Sequence, residues 1–233
     1  MLDSIHKSRD NNSVFRDFCF VKSLFSLGRI SNLNSDNPNS PALYEVEQKF
    51  VVSDLEQLEK RLAESGFSLV ATLQQRDIYL RHPVRDFRQT DEALRIRVSG
   101  GDACVTYKGR RLPGPVKTRP EIELHISPAE VGQWVQMVDH LGFKVAAEVH
   151  KTRREFRATS KRDYEQSVAL DHAEGLGDFA EIEIVVERQE EIELASERVM
   201  ALATELGLRV VQPKSYLGML LEKIAGEPPE EHV

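Results

Sequence analysis

The segment Tyr44-Glu-Val-Glu-Gln-Lys-Phe50 places a charged residue at every second position. Successive side chains of a β-strand point to opposite faces, so Glu45, Glu47 and Lys49 would share one face of a strand. Val46 and the aromatic rings at the two ends would lie on the opposite face. The segment therefore predicts a strand with one charged face and one mostly apolar face.

The same alternation returns in four other places along the chain. In each place, two like charges stand two residues apart and would share a strand face. These pairs are Arg95 and Arg97, Glu121 and Glu123, Lys151 and Arg153, and Glu181 and Glu183. The chain is therefore predicted to contain several strands that each carry a like-charged face.

Two arrangements would explain these faces. In one, they form the solvated outer surface of ordinary half-buried strands. In the other, which we favour, the sheet is a closed antiparallel β-barrel whose charged faces point inward and whose apolar faces are covered by helices. A charged lumen is costly unless its charges are paired or bind a ligand. Carboxylates and cations in one lumen would suit a polyphosphate together with a divalent metal ion.

Three strand segments are each followed by an amphipathic helical pattern that ends at a glycine. These β-α units cover residues 44–66, 121–142 and 181–207. Ser53 and Ser127 stand at the expected helix starts, and a glutamate follows three residues after each serine, as in a capping box. Glycine takes the left-handed conformation that often ends a helix. The unequal spacing of the units indicates an old duplication rather than a solenoid.

The composition limits the class of protein. The chain has 233 residues, a net charge of −7 and two cysteines. Its mean hydropathy is −0.40, and it contains no run of ~20 apolar residues that could span a membrane. The charge excludes a bulk basic footprint for nucleic acid, and two cysteines exclude a disulfide scaffold. Because we identify no export signal, the expected compartment is the cytoplasm.

The chain divides into one core and two short ends. Residues 1–42 are rich in Asn and Ser and are predicted to be a disordered leader, or the result of a start codon assigned too early. Residues 43–225 would form one domain, and 226–233 an acidic tail. Two long basic loops are predicted at 81–92 and 109–120. Lys117 and Arg119 of the second loop would either close over a substrate or be solvated.

The ordered set of motifs resembles the CYTH superfamily, the triphosphate tunnel metalloenzymes. Glu45-x-Glu47-x-Lys49 is similar to the E-x-E-x-K signature of that family. The other matching motifs are Arg76-Asp-Ile-Tyr79, Leu94-Arg-Ile-Arg97, Thr106-Tyr-Lys108, Glu121-Ile-Glu123, Lys151-x-Arg153, Leu170-Asp171, Glu181-Ile-Glu183 and Lys214-Ser-Tyr216. Within the family, the segment Asp171–Glu181 resembles the CyaB-type class IV adenylyl cyclases. The resemblance spans about residues 44–221, which is nearly the whole core.

The resemblance implies an α+β fold, in which an eight-stranded antiparallel tunnel with a charged lumen is flanked by helices. It also implies Mg²⁺ or Mn²⁺ as cofactor and a nucleoside or inorganic triphosphate as substrate. The expected metal ligands are Glu45, Glu47, Glu123, Glu181 and Glu183. The expected triphosphate-binding residues are Lys49, Arg95, Arg97, Lys108, Lys117, Lys151, Arg153 and Lys214.

Three residues are expected to have catalytic roles on the same resemblance. Lys108 and Tyr79 match a lysine–tyrosine pair that is implicated in activating water in triphosphatases of the family, although Tyr79 would serve equally well as a barrel-wall aromatic. Asp171 is expected to orient one of the cations or a water molecule on the metal.

Two reactions and one non-catalytic role fit this set of residues. The first reaction is that of an adenylyl cyclase, which forms cyclic AMP and pyrophosphate from ATP. The second is hydrolysis of inorganic triphosphate, thiamine triphosphate or an RNA 5′-triphosphate. A polyphosphate-binding module is disfavoured because anion binding alone needs no carboxylates. Similar proteins are often dimers, so a homodimer is one option for this chain.

Overall fold

The computed structural model describes residues 44–159 and 166–226. The predicted leader, residues 1–42, and residues 227–233 of the predicted tail lie outside these ranges. The strands are β1 (Tyr44–Val51), β2 (Phe67–Arg81), β3 (Ala93–Ser99), β4 (Asp102–Lys108), β5 (Lys117–Ile126), β6 (Lys144–Ala158), β7 (Gln166–Ala173) and β8 (Gly177–Val186). The α-helices are α1 (Leu55–Glu64), α2 (Phe87–Thr90), α3 (Val131–His140), α4 (Ile192–Glu205) and α5 (Tyr216–Gly226). Within the described ranges, no helix has the length and apolar character needed to span a membrane.

The strands close into one antiparallel barrel. Their order around the barrel is β1-β5-β4-β3-β2-β6-β7-β8, and β8 pairs with β1 to complete the ring. Directly opposed residues of an antiparallel ladder point to the same face. The pairing of Lys49 with Glu181 therefore places the charged faces of β1 and β8 together. The predicted closed eight-stranded barrel with flanking helices is confirmed.

The apolar faces of the strands point outward, and helices cover those of β1, β3 and β8, whereas Ile122 and Leu124 of β5 stay exposed. Leu62 of α1 and Val199 of α4 are buried in one cluster with Val46 and Ile182 of the barrel. A second cluster, under α3, buries Ile96 of β3. Burial of one such aliphatic side chain contributes about 1.5–3 kcal/mol. Helix packing on the outside leaves the charged faces to line the lumen.

Local capping follows the predicted pattern with one exception. Gly66, Gly142 and Gly207 have φ values of 78°, 92° and 72°, which confirms the predicted left-handed helix ends. Ser127 forms the expected capping box, and its backbone N–H donates to Glu130 Oε2 at 3.0 Å. The prediction of Ser53 as the cap of α1 was wrong.

The residue that caps α1 is Asp54, the next along the chain. Its carboxylate accepts a hydrogen bond from the Gln57 N–H at 2.9 Å. Aspartate and serine are about equally favourable N-caps. Because Asp54 rather than Ser53 is the cap, α1 begins one residue later than predicted. The predicted loop at 109–120 is also shorter than expected. Lys117 and Arg119 belong to β5 rather than to a loop.

Helix α5 packs against the barrel next to its charged interior. Its first residue, Tyr216, is buried in a cluster with Tyr79, Val149, Ala173 and Phe179. The segment that leads into this helix follows the end of β1, where the Val51 N–H donates to the Val210 carbonyl at 2.8 Å. Tyr216 is thereby held at the edge of the charged interior.

Candidate active site

Asp171 of β7 collects hydrogen bonds from three neighbouring side chains. It accepts from Arg153 Nε and Nη2 at 2.7 and 2.6 Å, from Lys151 Nζ at 3.1 Å and from the Tyr216 hydroxyl at 2.7 Å. Burial acts to raise the pKa of Asp171, but the charges of Arg153 and Lys151 lower it below the ordinary value. The carboxylate therefore stays charged and fixes two of the predicted triphosphate-binding cations.

Asp77 of β2 holds a second pair of cations in the same way. It is 0% exposed and accepts from Arg97 Nε at 2.6 Å and Arg97 Nη2 at 2.7 Å. Arg95 Nη1 lies 3.6 Å from Asp77 Oδ2. Burial acts to raise the pKa of Asp77, but Arg97 and Arg95 hold it well below the usual range.

Lys49 and Lys151 lie against the ring of Tyr216. Their ammonium groups are 3.5 and 4.6 Å from the ring centroid, in the range of cation–π contacts. Lys49 Nζ is also 3.3 Å from Glu181 Oε1. Burial and the nearby charge of Arg153 lower the pKa of Lys151 to about 8. These cations are packed closely enough to repel one another, so an anion entering the lumen would relieve the repulsion.

Glu181 of β8 lies among cations rather than among other acids. It forms ion pairs with Lys49 and Arg153. Burial acts to raise its pKa, but Arg153 and Lys49 lower it well below the ordinary value.

Lys108 of β4 bridges two carboxylates of the lumen. It forms ion pairs with Glu45 and Glu121, and its distance to Glu121 Oε2 is 3.1 Å. Burial acts to lower its pKa, but Glu121 and Glu45 raise it above the ordinary value. Tyr79, its predicted catalytic partner, lies in the buried cluster around Tyr216. Burial and the charge of Asp77 raise the pKa of that phenol.

The remaining predicted residues occupy three further positions. Lys117 Nζ lies 3.9 Å from Glu47 Oε1, and burial lowers the pKa of this lysine. The Thr106 hydroxyl donates to Glu123 Oε2 at 3.2 Å. Lys214 stands apart, because its ammonium pairs with the exposed Glu222. The main-chain carbonyl of Lys214 contributes to the lumen instead, by accepting from Lys49 Nζ at 3.3 Å.

Comparison with known proteins agrees with this geometry. A model of the CYTH domain matches residues 43–216. The chain belongs to the CYTH family. It is therefore a triphosphate-tunnel enzyme, since CYTH enzymes act on triphosphates.

The matches extend over nearly the whole length of each relative. A Methanocaldococcus jannaschii protein named "Putative adenylate cyclase MJ0240" is 37% identical over 177 residues, which are 75% of this chain and 97% of that protein. The structure of the PH1819 protein from Pyrococcus horikoshii OT3 is 38% identical, with a TM-score of 0.69 over 77% of this chain and 99% of that one. A Vibrio parahaemolyticus structure described as a putative adenylate cyclase is 22% identical, with a TM-score of 0.64 over 76% and 98% of the two chains, and it supports the fold alone.

CYTH enzymes generally use divalent metal ions, and the acidic residues of this lumen fit such an ion. Glu47 and Glu183 are direct cross-strand partners on β1 and β8, an arrangement in which two carboxylates repel unless a cation lies nearby. Within the described residues, no three acidic, histidine or cysteine side chains form a complete metal cage. Mg²⁺ ordinarily takes one or two carboxylates and completes its shell with phosphate oxygens and water. Glu47 and Glu183 would supply these carboxylates.

Sequence reasoning assigned no role to two residues that the structure places at the site. Asp77 was within the matched segment Arg76-Asp-Ile-Tyr79, and its position two residues before Tyr79 puts it on the lumen face. The alternation of strand faces could therefore have identified Asp77 from the sequence. Tyr216 gave no such signal, because its contact with Asp171 depends on where α5 docks.

Proposed function

We propose that this CYTH protein is a class IV adenylyl cyclase, which converts ATP to cyclic AMP and pyrophosphate with Mg²⁺ or Mn²⁺. The observation that carries the proposal is the 37% identity to a protein named as a putative adenylate cyclase, over 97% of that protein's length. The segment Asp171–Glu181, which resembles CyaB-type cyclases, supports it.

The lumen contacts suit the triphosphate part of ATP. Arg95, Arg97 and Arg153 present planar guanidinium groups that can bind phosphate oxygens in pairs. Lys49 and Lys151 add compact charges next to them. These cations would neutralise the phosphate chain and fix its position, which is the main contribution of a protein to phosphoryl transfer.

The reaction requires that one bond at the α-phosphorus forms as another breaks. The ribose 3′-oxygen bonds to the α-phosphorus, and the bond from that phosphorus to the bridging oxygen of the β-phosphate breaks. Pyrophosphate leaves with the electron pair, and the 3′-hydroxyl proton passes to solvent. A divalent ion would supply charge neutralisation at the phosphates. Lys108 would hold Glu45 and Glu121 in place beside it.

Hydrolysis of a triphosphate is the second candidate, and one feature of the lumen favours it. Val149 and Phe179, which are apolar lumen residues in the described part of the chain, are packed against Tyr216. They are therefore covered by α5 rather than open to an adenine ring. In this reaction water attacks a terminal phosphorus, and Lys108 and Tyr79 remain the predicted pair that would activate it.

A product assay on the full chain separates these reactions. The protein is given ATP or inorganic triphosphate with Mg²⁺ or Mn²⁺, and cyclic AMP, ADP, pyrophosphate and phosphate are resolved. Cyclic AMP with equimolar pyrophosphate is the result that the proposal expects. Phosphate release without a cyclic nucleotide would overturn the cyclase in favour of the triphosphatase. The variant Glu148→Gln, on the outer face of β6, serves as the matched control for any lumen glutamate variant.

A further inference from the structure

Asp77 and Arg97 form a two-point ion pair inside the barrel. The two residues are direct cross-strand partners on β2 and β3. Each carboxylate oxygen of Asp77 accepts one hydrogen bond from the same edge of the guanidinium, at 2.6 and 2.7 Å. A guanidinium has five N–H donors, so the donors on its other side remain for a second anion. The orientation of Arg97 is thus fixed before any substrate binds.

Arg95 shows where that second anion would bind. Its side chain is 11% exposed, and its contact with Asp77, at 3.6 Å, is an ion pair rather than a hydrogen bond. Its Nε has no hydrogen-bond partner among the described residues. A buried N–H donor without a partner is rare and calls for a ligand or water. A phosphate oxygen of the substrate would satisfy it.

A comparison within the lumen separates Asp77 from Asp171. Asp171 holds Arg153 by the same two-point contact, at 2.7 and 2.6 Å, and also accepts from Lys151 and Tyr216. Asp171 therefore connects two cations of β6 with the first residue of α5. The ion-pair contacts of Asp77, in contrast, go to Arg95 and Arg97.

We propose that Asp77 is a positioning residue, which orients Arg97 and Arg95 so that they bind neighbouring oxygens of the substrate triphosphate. The proposal rests on the proposed function only in taking a triphosphate as the substrate. It holds equally for the cyclase and for the triphosphatase. Asp77 itself touches no reacting atom, because the two arginines stand between it and the phosphate.

The variant Asp77→Asn tests this role, because it keeps the shape of the side chain and removes its charge. A role in charge balance alone predicts a lower KM and an unchanged kcat, since removing an anion beside two cations strengthens their attraction for triphosphate. A merely structural role predicts a lower Tm with an unchanged kcat in the folded enzyme. Positioning predicts a fall in kcat on the order of 10- to 100-fold, which neither of the other roles produces. An unchanged kcat would overturn the proposal.

Asp86→Asn is the matched control for this variant. Asp86 holds Arg88 by a similar two-point contact, at 3.1 and 3.0 Å, but on the exposed surface. We expect its kinetic constants to equal those of the wild type. A similar loss of kcat in Asp86→Asn would show that the effect does not depend on the position of Asp77 in the lumen, and it would overturn the positioning role.

A spectroscopic measurement on the wild-type chain does not depend on folding of the variant or on turnover. The Nε–Hε NMR signal of Arg97 should be resolved in the free protein and should move little when inorganic triphosphate is added, because its hydrogen bond to Asp77 persists. The Nε–Hε signal of Arg95 should shift. An Arg97 signal that appears only with triphosphate would overturn the proposal. A wild type that formed no product from ATP or triphosphate would overturn the proposed function. The NMR measurement would still decide the role of Asp77, because it needs binding of triphosphate and no turnover.

Discussion

Glu47 of β1 and Glu183 of β8 lie directly opposite each other across the strand pair inside the barrel. Like charges in this position destabilise a sheet, and Lys117, whose Nζ is 3.9 Å from Glu47 Oε1, is a cation that lies near them. A divalent cation at this point would turn the repulsion into an attraction. We therefore expect the Tm of the full chain to rise as Mg²⁺ or Mn²⁺ is added, and Glu47→Gln to reduce or remove that rise.

The control for this metal effect is Glu148→Gln. Glu148 lies on the outer face of the barrel, where it pairs with Arg76 at 2.8 Å. We expect this variant to keep the full response to Mg²⁺. An equal response of Glu47→Gln and the wild type would place the ion elsewhere.

Glu45→Gln separates binding from turnover. Glu45 is paired with Lys108, which keeps Glu121 as a second partner when Glu45 is neutralised. The cations that bind phosphate are unchanged, so we expect inorganic triphosphate to bind with similar affinity in calorimetry without metal. Metal-dependent product formation should fall to the background rate, because a predicted metal ligand is lost. Retention of turnover would show that Glu45 is not part of the metal site.

The alternation of charges made the barrel readable from the sequence. The spacing of Glu45, Glu47 and Lys49 assigned one strand face, and the helical patterns that follow three of the strands indicated that the apolar faces point outward. The same alternation could have identified Asp77, because it stands two residues before Tyr79. Periodicity indicates which face of a strand a residue occupies, and in a closed barrel one of the two faces lines the lumen.

Contacts between elements were beyond the reach of that reasoning. The role of Lys214 in substrate binding stays a prediction, but its contacts could not be foreseen: its ammonium pairs with Glu222, and its carbonyl accepts a hydrogen bond from Lys49. The docking of Tyr216 on Asp171 likewise depends on the path of the segment before α5. Neither contact leaves a periodic trace in the sequence, because each joins positions that are far apart in the chain.

Tyr216→Phe tests the hydrogen bond from α5 to the charged base of the lumen. The change removes the 2.7 Å hydrogen bond to Asp171 and keeps the ring that lies over Lys49 and Lys151. Asp171 retains its bonds from Arg153 and Lys151, so the expected loss of stability is about 1 kcal/mol. For a chain of this size that corresponds to a decrease in Tm of about 2–4 °C. Tyr216→Ala, which also removes the ring, should lower Tm further, and equal effects of the two variants would show that the ring contributes nothing.

Lys151 gives a stability effect with a defined pH dependence. The charged and titratable groups around it are Asp77 on β2, Arg97 on β3, Arg153 on β6, Asp171 on β7, Glu181 on β8 and Tyr216 on α5. Burial and the charge of Arg153 lower its pKa from 10.5 to about 8. Between these two pH values the unfolded chain binds more protons at this site than the folded chain does. The free energy of unfolding therefore rises with pH across this window, and below it the buried charge destabilises the fold.

Lys151→Met should remove this penalty and so raise stability near neutral pH, by on the order of 1–3 kcal/mol. The same variant should bind inorganic triphosphate more weakly, because one lumen cation is lost. The advantage in stability over the wild type should shrink as the pH rises from about 8 to 10.5, since the wild-type lysine then loses its proton in both states. Lys144→Met is the control, because Lys144 is an exposed lysine paired with Asp139 at 2.6 Å. Denaturant unfolding of the three proteins across this pH range measures the effect. A Lys151→Met protein less stable than the wild type near neutral pH would show that the ion pair with Asp171 outweighs the cost of burying the charge.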